Sequence, residues 1–265
     1  MRRVQTDPLD ADRIRSFLPE AMAARPIEVH RVLTSTSDRV RERAREGAAT
    51  GLVVLAEEQT RGRGSSGRRW VSRPGEGLWM SVLLRPGDVP PGVVTLGAGV
   101  AVMTGIWTAV EVPTELQWPN DLMVGRCKLC GILAEALPGG AIALGIGVNV
   151  HRAPPADEIG REAIFLDILV GLPVDRCSLA AGILCGIEGA FREVGAGRAD
   201  KLLATWRRNS NHLGERVRIT MGDQVAVGVA LDIDSAGALL VQGDDGVVRT
   251  IVSGSLELEP PVSSS

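Results

Sequence analysis

The sequence predicts an α+β protein: a mixed, largely antiparallel sheet with packed helices, followed by a small all-β unit. Three observations lead there. Between Glu115 and Val150, apolar runs are joined by turns too short for crossover helices, which makes antiparallel neighbours of them. Val93 to Val110 is apolar and rich in alanine and glycine, long enough for a buried helix lying close on a sheet. From Gly214 the texture changes to short strand-like runs separated by Gly-Asp, Asp-Ser-Ala-Gly and Asp-Asp-Gly turns, the pattern of a small barrel.

In chain order, Leu9, Ile14, Phe17, Leu18 and Met22 keep roughly helical spacing, interrupted at Pro19. Ile27 to Leu33 alternates and reads as a strand. Thr34 to Ser37 precedes a charged run, Arg39 to Glu46, and hydroxyls before such a run signal a helix N-cap. They can equally hold a polar ligand. Gly51 to Ala56 and Leu78 to Leu84 read as strands flanking Gln59 to Trp70, a loop of three glycines, four arginines, two serines and a closing tryptophan. Glycine allows close backbone approach to a ligand, and arginine grips carboxylate or phosphate with its planar fork. A solvated loop or a non-specific nucleic-acid tract would have the same composition. Glu115 to Trp118 is a short strand, Leu122 to Glu135 a hairpin turning at Gly125-Arg126, and Ala141 to Val150 another strand. Residues 151–162 are a polar, proline-rich loop. Helical patterns cover 163–170, 176–194 and 198–212, and strand patterns 216–219, 225–231, 238–241 and 247–252.

At 265 residues and net charge −3, the chain can bury a full core and is a poor bulk binder of nucleic acid. No run is read as membrane-spanning, and the polar start is no secretory signal, so a cytoplasmic protein is expected. Four cysteines are present; Cys127 and Cys130 make a C-x-x-C, but Cys177 and Cys185 have no matching spacing and the three histidines are scattered. No zinc and no haem are expected. A sharper signal lies in the cations. Of 29 basic residues only Lys128 and Lys201 are lysines, and Lys128 sits in an apolar strand-like run. A buried charge is costly unless paired, so an ammonium kept there marks a site that needs a point charge on a thin stem.

Four stretches together resemble the biotin protein ligase family: Ser35-Thr36-Ser37, Gln59 to Trp70, Trp118-Pro-Asn-Asp121 with Lys128-x-x-Gly-Ile-Leu133, and Gly145-Ile-Gly-Val-Asn-Val150. The resemblance covers about residues 27–258. It implies a biotin/lipoate ligase-like catalytic domain over 1–213, an SH3-like β-barrel over 214–260 and a disordered tail at 261–265. The 26 residues before the first strand are too few for a helix-turn-helix domain, so a ligase without DNA binding is expected. Family membership implies activation of biotin by ATP and Mg²⁺ to biotinyl-5′-AMP, then transfer to a lysine of a biotin carboxyl carrier domain of acetyl-CoA carboxylase or a related carboxylase. The enzyme itself would be a monomer or homodimer, away from membranes.

Carried over by position, Ser35, Thr36, Ser37, Gln59, Gly62, Arg63, Gly64, Ser65, Gly131 and Gly145 would form the biotin site. Lys128 and Arg63 would be catalytic, with Lys128 bridging the biotin carboxylate and the α-phosphate. Trp70, Asn120, Lys128 and Asn149 would contact ATP, and Asp121 would hold Mg²⁺. Plainer roles stay open: a core tryptophan at Trp70, a turn cap at Asp121, strand bulges at Gly131 and Gly145. Ser65 and Gln117 stand where the family has arginine and lysine, and Ser37 where it has asparagine. Two lost cations near the phosphates imply weaker hold on the adenylate. Lipoate or octanoate ligation on the same fold, or a biotin-binding paralogue with little catalysis, are the alternatives.

Overall fold

The computed structural model describes residues 7–259, so the tail expected at 261–265 lies outside the described residues. Helix α1 (Ala11–Ser16) is capped by Asp10, whose carboxylate accepts from Arg13 N, and Pro19 separates it from α2 (Glu20–Ala23). Both lie on the body of the protein through buried Leu9, Ile14, Leu18 and Met22. Strand β1 (Ile27–Leu33) leads through α3 (Thr36–Arg45) to β2 (Val53–Gln59). The helix makes the crossover that lets β1 and β2 pair in parallel. Strand β3 (Gly77–Leu84) is buried along its whole length.

Helix α4 (Pro91–Val110) starts on a proline in its first turn and ends at Glu111 in the left-handed region. In length and composition it reaches what a membrane span requires, contrary to the expectation from sequence, but most of it is buried inside the protein. Strands β4 (Glu115–Gln117), β5 (Asp121–Val124), β6 (Cys127–Ala136) and β7 (Ile142–Asn149) complete a seven-stranded sheet ordered β1-β2-β3-β7-β6-β5-β4. Apart from β1–β2, every pair in it is antiparallel. Short helices α5 (Ala156–Ile159) and α6 (Leu166–Val170) precede α7 (Arg176–Gly195) and α8 (Ala199–Arg208). Asp175 caps α7 by accepting from Cys177 N and Ser178 N. Helices α4 and α7 touch backbone to backbone: a side chain at Gly105 would meet Ile183 Cα at 2.5 Å.

The C-terminal strands β8 (Arg216–Met221), β9 (Gln224–Ile233), β10 (Leu239–Gln242), β11 (Val248–Ile251) and β12 (Ser255–Leu258) form a second sheet, ordered β11-β10-β9-β8-β12. Among the described residues its two edge strands do not pair, so hydrogen bonding leaves an open antiparallel sheet rather than the closed barrel read from the turns. Strand β12 was not among the strands expected from the sequence, although Leu256 and Leu258 alternate with polar neighbours; it pairs with β8, Leu256 opposite Ile219. One hydrophobic cluster joins the two sheets, running from Leu116 and Trp118 to Val217, Ile219 and Leu256.

Candidate active site

The glycine-arginine loop closes over the face of β6 and β7. It is pinned at its base, where Trp70 N donates to Gly62 O (3.0 Å), and at its tip, where Gly64 N donates to Arg68 O (2.8 Å). Gly62 has no room for a side chain, because a Cβ would run into the Trp70 carbonyl. Beneath the loop lie two neighbouring cavities of about 40 and 270 Å³, with Gly64, Ser65, Trp70 and Lys128 in the walls of both.

The smaller cavity gathers most of the residues singled out from sequence. Ser35, Thr36 and Ser37 reach it from the start of α3, Gln59 from the end of β2, Asn120 from the turn before β5, and Gly131 and Gly145 from the strands beneath. The wall is a relay of hydroxyl and amide groups. Gln59 Oε1 accepts from Thr36 N (2.8 Å) and Thr36 Oγ1 (3.1 Å), and Gln59 Nε2 donates to Ser72 Oγ (2.8 Å). Ser81 Oγ, fully buried, lies 2.7 Å from Thr36 Oγ1 and 3.1 Å from Ser37 Oγ. Sequence reasoning passed over Ser81, although it is the one polar residue in the run Leu78 to Leu84. This polar wall faces Ile132, Leu133 and Ile146, a lining that suits a small molecule with a compact polar head and an apolar remainder, for which the space of about 40 Å³ has to widen. The Trp70 indole divides it from the larger cavity. A side chain at Gly131 would meet the indole at 2.8 Å, and one at Gly147 would overlap it, so both glycines make room for the ring.

Lys128 stands where the cavities meet. Its Nζ lies 5.3 Å from the centroid of a Trp70 ring and 2.5 Å from Asp121 Oδ1. Its side chain is 13 % exposed, and burial pulls its pKa below the usual lysine value against the opposing pull of Asp121. Its backbone is fixed from both sides: Lys128 N donates to Glu162 O and Ile164 N to Lys128 O, each at 3.0 Å. Asn149 Nδ2 donates to Ile164 O (3.1 Å) and Lys128 O (3.3 Å), and Asn120 Nδ2 donates to Ile132 O. Both asparagines thus brace β6, with Asn120 in the wall of the smaller cavity and Asn149 in that of the larger.

Arg63 lines the smaller cavity, but its guanidinium is engaged. It donates to Glu135 through Nε (3.2 Å) and Nη2 (3.1 Å), and to Asp38 through Nη1 (2.9 Å). The hydrogen bonds to Asp38 and then Glu135 outweigh desolvation and raise its pKa further. Arg41 joins the same two carboxylates. Neither acid was picked out from sequence, since a pairing across such separations leaves no local pattern.

Asp121, expected to hold Mg²⁺, shares its carboxylate between Lys128 and Arg161, the latter at 2.8 Å. The described residues contain no group of three His, Cys, Asp or Glu side chains placed to hold a metal ion. A carboxylate already held by two cations does not fit a magnesium ligand, so magnesium would enter only with the substrate MgATP. Ser65, in place of an expected arginine, accepts through Oγ from Arg68 Nη2 (3.1 Å). Gln117, in place of an expected lysine, lines neither cavity; its Nε2 donates to Leu256 O of β12 (3.0 Å). The larger cavity carries Arg68, Arg69 and Arg161 beside Lys128, which makes it a receptacle for a polyanion. Cys130 is buried and its thiol pKa is pushed well above the usual range by that burial, so the C-x-x-C supplies no reactive thiolate from this position.

Residues 29–151 match the model of the biotin/lipoate A/B protein ligase family, and residues 212–258 that of the biotin protein ligase C terminal domain. The biotin–(acetyl-CoA-carboxylase) ligase of Mycobacterium tuberculosis is 37 % identical over 255 residues, covering 92 % of this chain and 93 % of that protein. The bifunctional ligase/repressor BirA of Bacillus subtilis is 33 % identical over 259 residues, covering 94 % and 79 %. Among solved structures, biotin protein ligase from Aquifex aeolicus in complex with biotin and ATP superposes with a TM-score of 0.78 at 26 % identity, over 88 % of this chain and 98 % of that one.

Proposed function

The chain belongs to the biotin protein ligase family, and on that premise we propose how its two cavities share an ATP-dependent biotin ligation. Lys128 carries this reading: it is a lone ammonium in the common wall of a small cavity with a polar lining and a cationic one. Biotin occupies the smaller cavity, which widens to admit it, with its ring system against Ser35–Ser37 and Gln59, backed by Ser81, and its carboxylate toward Lys128. MgATP occupies the larger one, its phosphates toward Arg68 and Arg69 and its base against Trp70.

In the first step a biotin carboxylate oxygen bonds to the α-phosphorus. The bond from that phosphorus to the oxygen bridging to the β-phosphate breaks, and the electron pair leaves with pyrophosphate. Lys128 offsets charge on both anions as they approach, which neither could do for the other. In the second step the amine of a lysine on a biotin carrier domain attacks the acyl carbon. The bond to AMP oxygen breaks, AMP leaves, and the amine gives up a proton. Asn120 and Asn149 hold the strand that carries Lys128, and Arg63 with Asp38, Glu135 and Arg41 holds the loop over the acid.

The test is pyrophosphate release from MgATP with biotin, lipoate or octanoate, followed by labelling of a biotin carrier domain. Biotin-dependent release is expected, and Lys128→Ala should lower it at least about 100-fold, the scale of losing one aimed electrostatic stabiliser. Release with lipoate or octanoate and none with biotin would overturn the substrate assignment.

A further inference from the structure

The segment after α5 turns at Gly160, in the left-handed region at φ 73°, and returns along β6. Ala163 forms a bridge with Lys128, and Asn149 fastens Ile164 to the same point. Arg161, two residues before Ala163, is therefore placed by the same hydrogen bonds that place Lys128. Its guanidinium grips one oxygen of Asp121 while Lys128 grips the other. Arg161 is 27 % exposed and lines the larger cavity, whereas Asp121 is 8 % exposed and lines neither cavity. Two cations thus face one carboxylate, and Arg68 and Arg69 add two more without a carboxylate partner among the described residues. The acid that does line this cavity, Glu158, is occupied by Arg73 at 2.6 Å. The local balance is positive, and the surplus is turned toward the cavity.

We infer that Arg161 is a substrate-contacting residue that binds the phosphate chain of the nucleotide, with Asp121 holding it and Lys128 side by side. Two cations set against the two oxygens of one carboxylate are spaced to meet oxygens of one phosphate chain, which makes the pair a preformed anion clamp. Arg161 would then supply, from a different segment, positive charge that the glycine-arginine loop lacks at Ser65. The inference rests on the ligase reading, and its test separates the two.

Binding of ATP and of adenosine to the full chain is measured calorimetrically in the presence of biotinol, which lacks the carboxylate and holds the first site without reacting. Wild type is compared with Arg161→Gln and Arg161→Lys. A hydrogen bond to a charged group predicts that Arg161→Gln weakens ATP about 10- to 100-fold, with Arg161→Lys recovering part of the loss. Adenosine, which carries no phosphate, should bind all three alike. Equal losses for ATP and adenosine would show that Arg161 only shapes the loop, and unchanged ATP binding would show that it contacts nothing; either overturns the inference. Failure of the wild type to release pyrophosphate with biotin would instead sink the ligase reading, and the contrast between ATP and adenosine would still report on Arg161.

Discussion

Ser65 is the residue whose replacement says most about the chemistry. Its hydroxyl accepts from Arg68, which also donates to Ser65 O and to Ser255 Oγ, so the nearest arginine is drawn toward the loop tip and the second sheet. An arginine at position 65 would place its cation in the wall shared by both cavities. We predict that Ser65→Arg slows dissociation of biotinyl-5′-AMP about tenfold or more, one charge-assisted hydrogen bond being worth about 1.5–3 kcal/mol. Equal dissociation rates, followed by stopped-flow fluorescence, would show that Arg68, Arg69 and Arg161 already compensate. Residues such as Ser65 and Lys128 were legible because each breaks a pattern: a serine within an arginine motif, a lysine in a chain of arginines. Ser81, Glu135 and Arg161 were not. Ser81 gains its meaning from a hydroxyl on α3, and Glu135 and Arg161 from partners that only the sheet and the turn after α5 bring near.

The junction between the N-terminal segment and α7 is built from charge. Arg176, 2 % exposed, is held by Asp7 and Glu57, and His151 lies between Asp7 (3.1 Å) and Asp167 (2.9 Å). Burial would lower the His151 pKa, but hydrogen bonds to Asp7 and Asp167 outweigh it and raise the pKa above 6.5. A raised folded-state pKa contributes stability that is fully present below the unfolded value near 6.5 and is lost as pH rises through the folded value. We therefore predict that His151→Gln costs roughly 1–3 kcal/mol in urea unfolding at pH 5.5, and that the deficit shrinks as pH is raised past neutrality. A deficit independent of pH would mean that packing, not charge, is the contribution of His151. Elements like this junction resist reading from sequence, since its anchor is a non-periodic stretch around Asp7. Where periodicity was strong, as in Val93 to Val110 or Ala141 to Val150, helix and strand were legible. The parallel pairing of β1 with β2 was not, because alternation reports which face a residue takes and not which direction its neighbour runs.

The two sheets are joined through the short strand that carries Gln117 and the residue after it. Gln117 Nε2 donates to Leu256 O, and Trp118 Nε1 donates to Gly237 O at 3.2 Å. Leu116 is tied by backbone bonds to Asn209 and Asn211 on the connection between α8 and β8. Because one hydrophobic cluster runs through this joint, the protein should unfold in a single cooperative transition. The joint also recasts Gln117: in the sequence it reads as a cation lost from the phosphates, whereas in the fold it is a buried amide satisfying a carbonyl of the second sheet. The two roles predict different things for Gln117→Ala. As a joint residue, its loss leaves Leu256 O without this donor and should cost about 1–3 kcal/mol of stability, with the KM for ATP unchanged within about twofold. As a nucleotide contact, its loss would raise that KM and leave urea unfolding alone. We expect the first result. The second would mean that the strand carrying Gln117 moves toward the nucleotide when it binds, and that the joint between the sheets opens during the reaction.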